Sequence, residues 1–154
     1  MIILGATGAG KTFLACSLGV ADAVRYLRLP DLLVEIAVAR RDGTYREYMK
    51  QLKKVKLLIL DEWLLYPLKE AEARDVLELV EARNKVASTI FSSQYDTSEW
   101  HENLYDPTLA DAICDRIMLY LAMMDITKKW TGRRQDWSVI HTQLAVFFAD
   151  RMLD

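Results

Sequence analysis

The 154-residue chain has little of what builds covalent or metal-linked scaffolds: two cysteines, Cys16 and Cys114, and two histidines. Two cysteines make no disulfide framework, and their separation gives no CxxC spacing for zinc. His101 and His141 lack ligand-spaced companions, so neither is read as a metal ligand. Six glycines and three prolines leave little room for flexible linkers. No apolar run approaches the roughly 18 residues that cross a bilayer. Met1-Ile2-Ile3-Leu4 lacks the basic flank and length of a secretory signal. What is present is 52% hydrophobic and 27% charged, with a formal net charge of −2. That composition predicts one soluble, cytoplasmic, globular domain with no membrane association, rather than a disordered chain.

Apolar runs alternate with helical patterns. Ile2-Ile3-Leu4 reads as a buried strand ending at a glycine-rich turn, and Lys11–Arg25 as a helix with apolar Phe13, Leu14, Leu18, Ala21 and Val24 close to helical spacing. A short strand is expected over Arg25–Leu29, then a helix over Leu32–Arg41 capped by Asp31 and a second capped by Thr44 and running to Lys54. Lys56–Leu60 is the clearest buried strand. Lys69–Lys85 reads as an amphipathic helix with Val76, Leu77, Leu79 and Val80 inward and Glu70–Arg74 and Glu81–Lys85 as outer pairs. Val86–Phe91 reads as a strand, Pro107–Met118 as a helix and Leu119–Thr127 as a last strand, with a further helix suggested over Val139–Leu153. Strand–helix alternation implies parallel βαβ units: an α/β fold with a central parallel sheet between helical layers.

The near-neutral net charge hides an uneven distribution. Between Arg40 and Lys56 stand seven basic residues against two acidic ones, whereas Leu57–Ala82 carries seven acidic against two basic. Arg40, Arg41, Arg46, Lys50, Lys53 and Lys54 are therefore a candidate surface for nucleic acid, able to neutralise phosphates and release counterions; an ordinary solvated helix face is the alternative.

The most specific motif is Gly5-Ala6-Thr7-Gly8-Ala9-Gly10-Lys11-Thr12, which fits G-x-x-x-x-G-K-[ST] in full. Glycines let the backbone take angles forbidden to other residues and wrap phosphate, and successive N–H groups form an anion nest. Lys11 is suited to the β- and γ-phosphates and the Thr12 hydroxyl to Mg²⁺. Residues Gly5 through Phe13 are the predicted nucleotide-binding segment. Leu57–Leu60 leads into Asp61-Glu62, two carboxylates at the C-terminal end of a buried strand, where open α/β sheets bind ligands. Asp61 is suited to Mg²⁺ and Glu62 to activating a water. Ser88–Gln94 repeats the pattern of apolar strand and polar end. If that strand lies between the other two, its polar end touches the γ-phosphate or the attacking water. Trp63, Trp100 and Cys16 read as packing residues. Arg116 lies at a helix C-terminus, where a cation is favoured without any function.

In order and spacing, Gly5–Ala15, Leu57–Leu64, Leu77–Asn84, Ser88–Gln94 with Trp100, and Leu109–Arg116 resemble the ATP-binding domain of IstB-like transposition helper proteins. More distantly they resemble DnaC-type replicative helicase loaders; both are AAA+ ATPases. The resemblance implies a P-loop AAA+ core over residues 1–127, with 128–154 as a tail of uncertain structure. It implies Asp61 and Glu62 as the Walker B pair, Ser93, with Ser92 beside it, as sensor 1, and Arg116 as an arginine finger. It also implies ATP and Mg²⁺ as cofactors and self-association through ATP sites completed in trans. Assembly on double- or single-stranded DNA and a transposase or helicase as client follow from it too. Two departures stand out: the family's segment before the phosphate loop is missing, and Thr131–Asp136 fails the G-x-S-x-R pattern, with Arg133 or Arg134 as possible substitutes. A small-molecule kinase, with Lys128, Lys129, Arg133 and Arg134 as a lid, and a truncated, non-hydrolysing fragment are the alternative readings.

Overall fold

The computed structural model describes residues 1–17, 24–118 and 123–125. Its strands are β1 (Ile2–Leu4), β2 (Val24–Arg28), β3 (Leu57–Asp61), β4 (Ser88–Ser93) and β5 (Met123–Asp125). Its helices are α1 (Lys11–Ser17), α2 (Leu29–Arg41), α3 (Tyr45–Lys54), α4 (Glu70–Arg83), α5 (Trp100–Asn103, preceded by a 3₁₀ turn) and α6 (Pro107–Met118). The strands form one parallel sheet in the order β2-β3-β4-β1-β5. β4 therefore does lie between β3 and β1, the arrangement under which its polar end reaches the site.

Side chains alternate across the strands, so each face collects its own core. Ile3, Leu57, Ile59 and Ile90 pack on Leu14 and Ala15 of α1. Ile2, Leu4, Leu58, Leu60 and Phe91 face the other way, onto residues of α2, α4 and α6. Both faces are covered, which is why β3 is apolar at consecutive positions rather than alternating. The result is a three-layer α/β sandwich, as the strand–helix alternation predicts. Trp63 and Trp100 are fully buried beside Phe91, with the Trp63 ring centroid 4.6 Å from Phe91 and 5.7 Å from Trp100. They pack, as expected of them. No described helix is long and apolar enough to cross a membrane.

Several boundaries differ from the sequence expectation. Val24 and Arg25 belong to β2, not to the first helix, because they pair in register with Leu57 and Leu58 of β3; Arg25 also forms an ion pair with Glu35 of α2. α2 begins at Leu29, three residues early, with Pro30 in its first turn; proline's fixed φ suits that position, so Asp31 sits inside the helix rather than capping it. α3 starts after Thr44 as predicted, but the Thr44 side chain makes no cap hydrogen bond. In α4, Glu70 pairs with Arg74 as expected, and Glu81 pairs with Arg116 of α6. The expectations for the Cys16 side chain, for Leu18 and Ala21, and for residues 128–154, including Arg133, Arg134 and His141, lie outside the described residues.

Candidate active site

The phosphate loop joins the C-terminal end of β1 to α1. Gly8 and Gly10 both sit at φ +82°, and a Cβ at either would meet nothing within 4 Å, so the backbone angle itself is what demands glycine. Gly5 differs from the expectation: its backbone is not in that region, and its role is a buried approach in which its N–H donates to Ser93 O at 3.2 Å. That bond ties the loop to β4, as does the Thr7 hydroxyl, which donates to Gln94 Oε1 at 2.8 Å. Lys11 curls over its own loop and donates to Gly5 O at 2.6 Å and Ala6 O at 3.0 Å. Partial burial lowers the affinity of its ammonium for its proton, and the negative charge of Asp61 opposes that effect. Phe13, the last residue of the predicted nucleotide-binding segment, is 70% exposed and outside the core.

Parallel pairing of β3 with its neighbours carries Asp61 to the same edge as the loop. Its Oδ2 accepts from the Thr12 hydroxyl at 2.5 Å and from the Tyr26 hydroxyl at 2.8 Å, and its Oδ1 accepts from the Glu62 N–H at 2.9 Å. The buried Ser92 hydroxyl lies beside it without a partner in hydrogen-bonding geometry. Burial alone would raise the Asp61 pKa; the hydroxyls of Thr12 and Tyr26 and the Glu62 N–H outweigh it, and the carboxyl is held below its ordinary range.

Thr12 and Asp61 put a hydroxyl and an ionised carboxylate side by side, a hard oxygen pair that fits Mg²⁺. Among the described residues no cluster of three or more His, Cys, Asp or Glu is arranged for a metal. Such a cluster is not required, because Mg²⁺ in phosphate sites takes one or two protein oxygens and completes its shell with phosphate and water.

Glu62 follows at φ +53°, an unusual angle for a residue other than glycine, and Leu64 at φ +55°. The Trp63 N–H donates to Ser92 O at 2.9 Å, pinning this turn to β4. Glu62 Oε2 is paired with Arg28 at the end of β2, at 2.7 Å. Ser93 is spent on structure: its buried hydroxyl donates to Trp63 O and accepts from the Tyr95 N–H. The serine beside Asp61 is Ser92, its neighbour on the opposite strand face. Arg116 lies elsewhere. It donates to Ala112 O and Glu81 Oε1 and, with Met1, Ser88 and Thr89, lines a cavity of about 510 Å³ at the sheet's N-terminal edge, away from the phosphate loop.

Of the basic residues, Arg40 is bound to Asp75 of α4 and stacked over the Tyr45 ring, and Arg41 pairs with Asp42. Arg46, Lys50, Lys53 and Lys54 are exposed at i, i+4, i+7 and i+8 on α3, opposite buried Met49 and Leu52, and without an ion pair among the described residues. Sequence reasoning missed Tyr26 and Arg28. Their only signal is placement two apart, on one face of a short strand, which matters once β2 is known to border β3.

The profile of the family described as IstB-like ATP binding protein matches residues 1–137. The chain belongs to the IstB-like ATP-binding family. Among its relatives is an insertion sequence ATP-binding protein, y4pL, of Sinorhizobium fredii, 41% identical over 140 residues, covering 88% of this chain and 57% of that protein. The ATP-binding protein of insertion sequence IS21 from Pseudomonas aeruginosa is 34% identical over 131 residues, covering 82% of this chain and 49% of that protein. The IstB-like chain thus spans about half the length of such relatives. In solved structures its fold is similar to that of DnaI (TM-score 0.71, 24% identity, 82% of this chain and 72% of that one). It is also similar to that of the DnaC helicase loader (TM-score 0.68, 18% identity, 82% and 77%). These likenesses show a shared fold: a three-layer α/β sandwich with a phosphate loop after its first strand.

Proposed function

We propose that this chain is the ATPase core of a transposition helper, hydrolysing ATP with Mg²⁺ while assembled on DNA and delivering a transposase. The observation that carries the reading is the meeting of Lys11, Thr12, Asp61 and Glu62 at one sheet edge, with Thr12 and Asp61 already in contact. Thr12 and Asp61 would hold Mg²⁺, which would supply neutralisation of the phosphate charge. Glu62 is the group that orients and deprotonates the attacking water, and it must leave Arg28 to do so. The pair is exposed and screened by solvent, so the exchange is inexpensive. Arg116 acts in trans on a neighbour's nucleotide, a role supported by its location at the far end of its own sheet. Arg46, Lys50, Lys53 and Lys54 take the DNA backbone, in double- or single-stranded form. The insertion-sequence names of the relatives favour a transposase over a helicase as client. Residues 1–127 form the working core and 128–154 its appendage, in the cytoplasm.

The test is the ATPase rate with and without double-stranded DNA, for the chain and for Glu62→Gln. The reading expects DNA-stimulated turnover that the substitution reduces by two orders of magnitude or more while ATP binding persists. ATP consumption only when a small acceptor is supplied would overturn it in favour of a kinase. Binding without turnover would mean a non-hydrolysing nucleotide protein.

A further inference from the structure

Asp61 is held by three donors, and their origins differ. Thr12 comes from the phosphate loop and the Glu62 N–H from the next residue, just past the end of β3. Tyr26 comes from the edge strand β2, 35 residues away in sequence, and shares Oδ2 with Thr12. A carboxylate's terminal torsion is broad, and a backbone N–H on one oxygen does not fix its plane. A second donor from a separate, hydrogen-bonded strand does. β2 is in register with β3 from Val24↔Leu57 to Arg28↔Asp61, so Tyr26 reaches Asp61 from a fixed base.

Resting on the nucleotide-site reading above, we infer that Tyr26 is a positioning residue for the divalent cation. It fixes the Asp61 carboxylate so that the Thr12–Asp61 pair is preset for Mg²⁺ before nucleotide arrives. Without it, Thr12 is the one side-chain donor left on Oδ2, beside the Glu62 N–H on Oδ1, and the same hydroxyl must then both restrain that oxygen and turn its own oxygen to the metal. Outer partners that orient a metal's ligands typically account for 10–100-fold in metal affinity. Nothing in this role needs Tyr26 to touch the phosphate or the base, so its effect is confined to the metal-dependent part of nucleotide binding.

The experiment is a titration of the full chain with a fluorescent ATP analogue, first in EDTA and then at rising Mg²⁺. It compares the unsubstituted chain with Tyr26→Phe, which keeps the ring and removes the hydroxyl. The expected result is an unchanged affinity in EDTA and a Mg²⁺ concentration for half-maximal tightening raised about tenfold. In an Asp61→Ala background, Tyr26→Phe should add nothing, because the tyrosine acts through that carboxylate. Equal losses with and without Mg²⁺ would mean a merely structural role and overturn the inference, as would tightening by Mg²⁺ that Tyr26→Phe leaves intact. Absence of Mg²⁺-dependent tightening in the unsubstituted chain would overturn the site reading itself, a result visible before any substitution is compared.

Discussion

Asp61 and Glu62 are adjacent in sequence yet live in different surroundings. Asp61 is 5% exposed and surrounded by donors, whereas Glu62 turns outward at a positive φ and pairs with an exposed arginine. The first is held ionised by its donors; the second is tied by a single exposed ion pair. Such strain costs on the order of 1–3 kcal/mol and persists where surrounding contacts over-determine it; here the Trp63–Ser92 and Ser93–Trp63 bonds hold the turn from both sides. The lowered Asp61 pKa has a signed consequence. The ionised carboxylate is favoured by folding, so its contribution is complete above the ordinary value of 3.8 and is lost as pH falls through the lower folded value. Thermal midpoints measured from neutral pH down to about pH 2 should therefore fall more steeply for the unsubstituted chain than for Asp61→Asn. Parallel curves would show that the carboxylate contributes nothing in its ionised form.

At the scale of elements, α3 is fastened by two tyrosines. Tyr45 lies under Arg40 and donates to Glu78 of α4 at 2.6 Å, while Tyr48 donates to Glu35 of α2 at 2.5 Å beside Arg25 of β2. The network consumes Arg40 and fixes the helix, so that Arg46, Lys50, Lys53 and Lys54 are presented on a rigid face. Replacing Lys50, Lys53 and Lys54 together with alanine should weaken DNA binding and reduce the salt slope of log affinity by about three, one per phosphate contact. ATP affinity should be unchanged, and an unaltered slope would remove α3 from the interface. Elements differ in how plainly their sequence announces them. β3 and the phosphate loop are legible because five buried positions in a row and a glycine–lysine motif are strong local signals. The start of α2 is not, because Pro30 reads equally as a breaker and as a first-turn residue. Tyr26 and Arg28 are invisible for a different reason: their partners lie 34 and 35 residues away, and only strand order brings them together.

Across the whole molecule, the nucleotide residues gather where the strands end and Arg116 lies where they begin, bound to Glu81. On the trans reading proposed above, Arg116 serves another copy. Subunits bearing Arg116→Ala, mixed in rising proportion with unsubstituted chain, should therefore depress ATP turnover more than their fraction alone explains. A strictly linear decline would assign each subunit its own complete site. The opposition of the two ends also bears on stoichiometry. A pair related by a two-fold axis joins like surface to like, whereas a surface that donates an arginine and a different surface that receives it can only stack head to tail. An open row of such copies always leaves one nucleotide without an arginine and one arginine without a nucleotide, and only closure into a ring removes both. The dormant end of an open row is then a fixed address, one per assembly, distinguished from every other subunit by geometry alone.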